Sequence, residues 1–327
     1  MINLMLMPCT PEEAAALAAP VSAADELAAG LLSDAPSISP KFLYDALGSK
    51  LFEAICELPE YYPTRTEAGI FAAHGAAMAR AAGTGTTLID LGAGNCAKAA
   101  SLFPLLQPAQ YVAVDISADF VTDALNRLQQ RFPDIGMLAL GLDFSAELPL
   151  PGSVRTEQRL FFYPGSSIGN FSPDDALAFL QRVHGACGSD GAILIGVDLE
   201  KDHAVLDAAY DDALGVTGAF NLNILRHANT VLGSDFDVRQ WRHEGFFNPA
   251  LRRIEMHLTA RGAQTVRWPG GSRHFAEGER IHTENSYKYR EASAVDLLAR
   301  AGFVDAEVWL DPNSWFAVIY ARAGAGR

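Results

Sequence analysis

Four cysteines stand in 327 residues, Cys9, Cys56, Cys96 and Cys187, with no CxxC pair and no histidine at ligand spacing beside any of them. That scarcity excludes a disulfide framework and a structural metal, and it fits a reducing compartment. Basic side chains are also few: 25 Lys and Arg face 39 Asp and Glu, for a net charge of −14. None of the 25 precedes Lys41, so the chain shows neither a secretory signal nor an Arg-rich transit peptide, and a cytoplasmic location is expected. The longest basic cluster is only Arg252-Arg253. A surface this negative repels phosphate backbones and anionic lipid, which argues against nucleic acid and membranes as partners. No apolar run approaches the roughly 18–20 residues of a membrane span. Internal repeats are missing too.

Apolar material is ample. The apolar set makes up 49% of the chain and the charged set 20%, enough for a sizeable core, and the length suits about two domains of roughly 150 residues. The Ala-rich start carries Thr10-Pro11-Glu12-Glu13, a capping box with proline at the first helical position, and 33–40 reads as a linker. Residues 41–66 are dense in aromatics: Phe42, Tyr44, Phe52, Tyr61 and Tyr62 precede Pro63-Thr64-Arg65. The two phenylalanines suit a core helix as well as a pocket. The tyrosines, whose hydroxyls need partners when buried, are candidates for the wall of a polar pocket.

From Thr86 onward, strands and amphipathic helices alternate. Strands are predicted at 87–91, 111–115, 137–142, 159–163 and 192–199, with helices opening at Lys98 and at the cap Ser172-Pro173-Asp174-Asp175. That rhythm predicts an α/β fold with a doubly wound parallel sheet. Residues 201–290 break it. Helical stretches at about 204–214 and 217–232 precede a β-rich piece in which Ile254, Met256 and Leu258 alternate with polar residues, the pattern of a half-buried strand. After 290 come a helix over 293–301 closed by Gly302 and strands at 306–310 and 316–321. The simplest account is an α/β domain with an insertion of about 90 residues before its last helix and hairpin.

Asp90-Leu91-Gly92-Ala93-Gly94 ends the first strand and opens a helix, and glycines there let backbone approach a ligand closely. Asp115 ends the second strand, where a carboxylate can accept from two ribose hydroxyls. The spacing Gly92-x-Gly94-x-x-Ala97 also admits a dinucleotide, so an NAD-dependent dehydrogenase competes. Two features favour S-adenosylmethionine. Asp90 puts a carboxylate where a cationic ligand is welcome and a pyrophosphate is repelled. Asp143-Phe144, after the third strand, suits an adenine, with the carboxylate accepting from the exocyclic amine and the ring flanking the base; a helix N-cap is the bland alternative for Asp143.

The fourth strand leads into Gly165-Ser166-Ser167-Ile168-Gly169-Asn170 and lacks the Asn-Pro-Pro-Tyr run associated with methylation of nucleobase or glutamine nitrogens. The insertion carries Tyr210, Phe220, Asn221, Met256 and Thr283-Glu284-Asn285-Ser286, then Lys288. Glu284 and Ser286, two apart on an extended segment, point to one side and could grip one polar ring edge. The alternative is a surface pair between Glu284 and Lys288.

Several runs together resemble the histidine-specific methyltransferases. They are Tyr44-Asp45, Leu58-Pro59-Glu60-Tyr61-Tyr62-Pro63-Thr64-Arg65, the Gly165 to Asn170 loop, Gly196-Val197-Asp198-Leu199, Tyr210-Asp211-Asp212, Ala219-Phe220-Asn221, Arg253-Ile254-Glu255-Met256-His257-Leu258 and Thr283-Glu284-x-Ser286-x-Lys288. The resemblance covers the chain from about residue 35, in order and with little gap. It implies a class I S-adenosylmethionine-dependent methyltransferase that converts L-histidine to its Nα-trimethyl betaine, hercynine, the first step towards ergothioneine. It also implies a methyl-donor domain at 66–200 plus 290–327, a substrate domain at 10–65 plus 201–289, and an active site in the cleft between them. By resemblance, Gly92, Lys98, Asp115, Asp143 and Phe144 serve the donor, joining Asp90 and Gly94 from the loop itself, and Asn170 with Tyr210 holds the substrate carboxylate. Tyr61, Glu284 and Ser286 line the imidazole pocket with Met256 against the ring, and Tyr44, Phe52 and Gly165 lie near the amino group. Asn95-Cys96 in the glycine loop, and Asn285 and Tyr287, depart from the family pattern.

Each transfer needs an amine lone pair, so a proton must leave before every round. No dedicated His or Lys base is evident; loss through a water held by Tyr44 is expected, with positioning by Tyr44 and Asn170 carrying the catalysis. A monomer acting on a small molecule, with no metal, is expected. A betaine-forming enzyme for another aromatic amino acid and a non-catalytic binding module are the remaining alternatives.

Overall fold

The computed structural model describes residues 22–116 and 118–324, with the backbone alone at 118–120; the capping box at Thr10 lies outside the described residues. Helices α1 (Ala23–Leu32), α2 (Ala46–Cys56) and α3 (Tyr62–Ala82) come first. The alternating stretch runs β1 (Thr87–Leu91), α4 (Ala97–Leu106), β2 (Gln110–Asp115), α5 (Ala118–Arg131), β3 (Gly136–Gly141), β4 (Arg159–Tyr163), α6 (Pro173–Cys187) and β5 (Ala192–Asp198). Helices α7 (His203–Tyr210) and α8 (Val216–Leu232) lead to β6 (Trp241–Asn248), β7 (Arg253–Ala260), β8 (Gln264–Trp268), β9 (Gly271–Phe275) and β10 (Arg280–Tyr287). Helix α9 (Glu291–Arg300) and strands β11 (Phe303–Leu310) and β12 (Phe316–Ala323) close the chain.

Two compact units result. One combines Arg65–Leu199 with the chain from Tyr289 onward; the other combines the described residues up to Thr64 with Glu200–Lys288.

The first unit is a seven-stranded sheet in the order β11-β12-β5-β4-β1-β2-β3. It is parallel except for β12, which runs antiparallel to both neighbours as the second strand of the expected closing hairpin. All residues of β1 and β5 are buried, as a sheet covered on both faces requires. Successive residues feed opposite cores: Ile89 and Ile193 pack on Phe179, whereas Leu88 and Leu194 pack on the side of Phe103. Strand order reverses between β1 and β4, and at such a switch point the loops after the two strands leave a crevice at the carboxyl edge. Helix α9 begins at Glu291, earlier than its sequence suggested, because the backbone of Tyr289 is pinned to Asp198 (2.9 Å) and aims the chain directly into the helix.

In the second unit, α8 packs against α1, α2 and β6, and β7 is the middle strand of the sheet β10-β7-β6. The expected half-buried alternation on β7 is not what forms: Glu255 and Thr259 are buried along with Ile254, Met256 and Leu258. Glu255 tolerates burial because Arg253 and His257 bond to it (2.9 and 3.0 Å). Burial works against its ionisation, but these bonds prevail and bring the carboxyl down to about 2. Nor is 33–40 a free linker. Ser37 bridges to His282, with the Ile38 amide donating to the His282 carbonyl and the His282 amide to Pro36 (both 2.9 Å), which covers the edge of β10.

Candidate active site

At the carboxyl edge of the first unit, Gly92 (φ 74°) and Gly94 (φ 51°) both take left-handed conformations that a side chain would strain. A Cβ on Gly94 would meet nothing within 4 Å, and one on Gly92 only the Phe144 ring, at 3.8 Å. The loop is therefore an open cradle with an aromatic ring on one side. Asp115, at the end of β2, accepts from the Gly94 amide (3.0 Å) and fixes the cradle's shape. Asp143 caps no helix; it accepts from the amide of Ser145 (3.1 Å) in a tight turn that presents Phe144. A backbone cradle, a strand-end carboxylate and a ring are the parts a ribose and adenine need.

Asp90 is the penultimate residue of β1. It is buried, accepts from the Tyr111 hydroxyl (2.7 Å), and burial raises its titration to about 7 against the opposing pull of that bond.

Lys98, in the first turn of α4, pairs with Glu67 on α3 (2.6 Å), and the other Glu67 oxygen accepts from the Gly165 amide (2.7 Å). Gly165 (φ 76°) and Ser166 (φ 58°) turn the chain after β4, the Ser166 hydroxyl accepts from the Asp198 amide (2.8 Å), and a short 3-10 turn, Ser167–Asn170, ends on a half-buried Asn170. Sequence reasoning missed Glu67. It precedes Ile70 and Phe71 by three and four residues, so helical spacing places it on their buried face, and an acid on such a face is the signal that could have found it.

In the second unit the aromatics form one connected set. Tyr44 meets Phe52 and Phe220 edge-on with ring centroids 5.6 Å apart, Phe52 meets Tyr61 at 6.0 Å, and Tyr61 meets Tyr210 at 6.1 Å. Burial pushes the Tyr61 hydroxyl well above its usual titration, so it stays a neutral donor. Tyr210 ends α7, and its hydroxyl donates to Ser286 (2.9 Å); the buried Lys288 ammonium donates to Ser286 (2.8 Å) and to Tyr210 (3.2 Å). Two residues assigned by resemblance to different parts of a substrate thus touch each other. Because Ser286 already accepts two hydrogen bonds, its own proton is the part left to offer.

Glu284 stands directly opposite Met256 in the β10–β7 ladder, with Ser286 two positions on, opposite Ile254. Its carboxyl is buried, accepts no hydrogen bond from the described residues, and is raised to about 7 by burial, with Lys288 opposing. The surface pair of Glu284 with Lys288 is excluded, since both are buried. The backbone at Tyr210 is held in turn by His243: its Nε2–H donates to the Tyr210 carbonyl (2.8 Å) while Nδ1 accepts from Asn221 (2.9 Å). Burial lowers the His243 titration, which keeps this neutral tautomer. Gly245 makes room, since a Cβ there would lie 2.4 Å from the same carbonyl.

A profile of the family described as "histidine-specific methyltransferase, SAM-dependent" matches residues 23–323. This chain belongs to that family. Among curated relatives, histidine N-alpha-methyltransferase of Mycolicibacterium smegmatis is 38% identical, over 90% of this chain and 93% of its own length. The protein of the same name from Mycobacterium tuberculosis is 37% identical, over 89% of this chain and 92% of its own. Ergothioneine biosynthesis protein 1 of Neurospora crassa is 30% identical over 89% of this chain but only 34% of its own length. Membership makes the protein an enzyme whose methyl donor is S-adenosylmethionine, and it removes the dehydrogenase and binding-module alternatives.

Proposed function

We propose that the protein methylates the α-amine of L-histidine three times, yielding hercynine on the way to ergothioneine. The observation that carries this reading is the buried Glu284 carboxyl, with Lys288 acting on it through its charge, two positions before a Ser286 hydroxyl that already accepts from Lys288. A neutral imidazole has one N–H and one bare nitrogen; a carboxylate accepts from the first and a hydroxyl donates to the second. An apolar ring would leave both groups buried and unsatisfied.

S-adenosylmethionine supplies an electrophilic sulfonium methyl. Asp90, Gly92, Gly94, Asp115, Asp143 and Phe144 form its cradle, with Lys98 facing its carboxylate. Asn170 and Tyr210 take the carboxylate of histidine, the Tyr210 hydroxyl turning its one proton from Ser286 to that carboxylate while Lys288 still donates to Ser286; Tyr61 joins Glu284 and Ser286 at the imidazole, and Met256 lies against the ring. Tyr44, Phe52 and Gly165 surround the amine. Aromatic rings there would favour the growing cation by about 0.5–2 kcal/mol, and Tyr44, 36% exposed, is placed to pass the departing proton to water. The first unit serves the donor and the second the acceptor, in a cytoplasmic monomer that takes a small molecule; the acidic balance and the free thiols of Cys56, Cys96 and Cys187 among the described residues support that setting. No helix among the described residues is long and apolar enough to cross a membrane.

The test is mass spectrometry of a mixture of the twenty amino acids incubated with enzyme and S-adenosylmethionine. Histidine should gain three methyl groups. Trimethylation of tryptophan, tyrosine or phenylalanine instead would assign the site to another aromatic amino acid.

A further inference from the structure

Glu67 has both carboxylate oxygens engaged and is 1% exposed. Oε2 accepts from the Lys98 ammonium (2.6 Å) and Oε1 from the Gly165 amide (2.7 Å). On the adjoining strand β5, a Cβ at Gly196 would lie 2.2 Å from Oε1, so that backbone position leaves room for the carboxyl. Helix α4, the loop after β4 and strand β5 thus converge on one side chain carried by α3.

A buried ion pair contributes little net stability, because desolvation offsets the attraction, and well-packed apolar residues commonly do as well. Core filling is therefore a poor account of a carboxyl here. Its partners give a better one. Lys98 remains 40% exposed on its side chain, so only the face towards Glu67 is withdrawn from water, and an ammonium has three N–H donors. Fixing one of them on Glu67 fixes the directions of the other two.

We propose that Glu67 is a positioning residue for methyl transfer: it locks the Lys98 ammonium, which meets the carboxylate of the methyl donor, and the Gly165 loop, which meets the acceptor amine, into one frame. The proposal rests on the reading of Lys98 and Gly165 given above. In E67Q the amide has one acceptor oxygen for two donors, and its NH2 is set against an ammonium or an amide N–H.

The test combines E67Q, K98M and the double variant, with S-adenosylhomocysteine affinity by calorimetry, donor KM, kcat and melting temperature. E67Q should weaken S-adenosylhomocysteine and raise donor KM about tenfold, the scale of one charge-assisted hydrogen bond, and should also lower kcat. In the K98M background its effect on affinity should shrink to within about twofold, since coupled residues are not additive. An equal loss in both backgrounds, or a lower melting temperature with KM and kcat unchanged, would leave Glu67 a structural residue and overturn the proposal. Should E67Q not fold, E67D with its shorter reach takes its place in the same cycle. Failure of the wild type to bind S-adenosylhomocysteine would overturn the donor-site reading itself.

Discussion

In the first unit the central strands are apolar along most of their length, and polar chemistry is held at their carboxyl ends by loops, glycines and a few buried polar side chains such as Asp90 and Glu67; in the second, polar side chains are buried all along the sheet and helices. Strand β5 buries every residue, yet Asp198 at its end receives Tyr289 and its amide bonds to Ser166. Strand β10 instead buries Thr283, Glu284 and Ser286 along its length, and α8 buries Asn221 and Asn223. A cradle made of backbone can be built on an ordinary apolar core. A pocket that reads side-chain chemistry must place polar groups inside and satisfy them one by one, and Lys288, Tyr210, His243 and Asn221 are arranged accordingly.

The sharpest way to break this contrast is Asp115→Ala. The carboxylate closes the glycine loop through the Gly94 amide, and in the proposed function it also takes the ribose, so donor affinity should be abolished while far-UV circular dichroism stays native. Unchanged calorimetric binding of S-adenosylhomocysteine would show that the backbone cradle suffices alone.

For the second unit the corresponding change is Glu284→Ala. Loss of a buried hydrogen bond to histidine should cost about 1–3 kcal/mol in kcat/KM. The gap between histidine and phenylalanine or tryptophan, commonly about 10⁴-fold at a site built to hydrogen-bond its substrate, should narrow. Unaltered kinetics and discrimination would place ring recognition elsewhere.

The two units should meet in their pH dependence. Asp90 and Glu284, one in each, are both raised by burial to about 7 from ordinary values of 3.8 and 4.5. Their neutral forms favour the folded chain, so the stability they contribute is full below the unfolded values and is lost as pH rises through about 7. The full loss is roughly 3–4 kcal/mol per group, of which about 3 falls between pH 5 and pH 8. Urea denaturation of the ligand-free enzyme at pH 5 and pH 8 should show a smaller difference in Glu284→Gln than in wild type. An identical difference would mean that Glu284 is not desolvated in solution.

A smaller effect sharpens the comparison at a cap. Asp45 accepts from the Gly48 amide at the start of α2 and from Asn223 on α8, both at 2.7 Å. Asp45→Ala should lower stability by about 0.5–2 kcal/mol, read as a reduced melting temperature.

Much of the first unit was legible because its signals are local. Apolar runs of strand length ending in glycine or aspartate, with a capped helix at Ser172, specify β1 to β5 without reference to the rest of the chain. The signals weakened where partners are distant. Nothing near Arg290 marks the start of α9, since a backbone bond to Asp198 decides it, and the polar face expected to be exposed on β7 is buried, α7 and α8 packing on the strand and Asn248 of β6 joining the bonds that hold Glu255. Asp90 shows the same limit: its place at the end of β1 is written in the sequence, but its protonation depends on Tyr111 and on burial.

The sequence by itself determined the α/β rhythm, the glycine cradle, the pairing of Glu284 with Ser286 on one side of a strand, and the family, because periodicity, turn chemistry and motif order are properties of neighbours along the chain. Only the tertiary structure decided that Glu67 joins Lys98 to Gly165 across 31 and 98 residues of chain, and that Tyr210, Ser286 and Lys288 share one buried network across 76 and 78. Hydrogen bonds and desolvation act through space, over a few ångströms, and contacts of that range between distant segments exist only once the chain has folded.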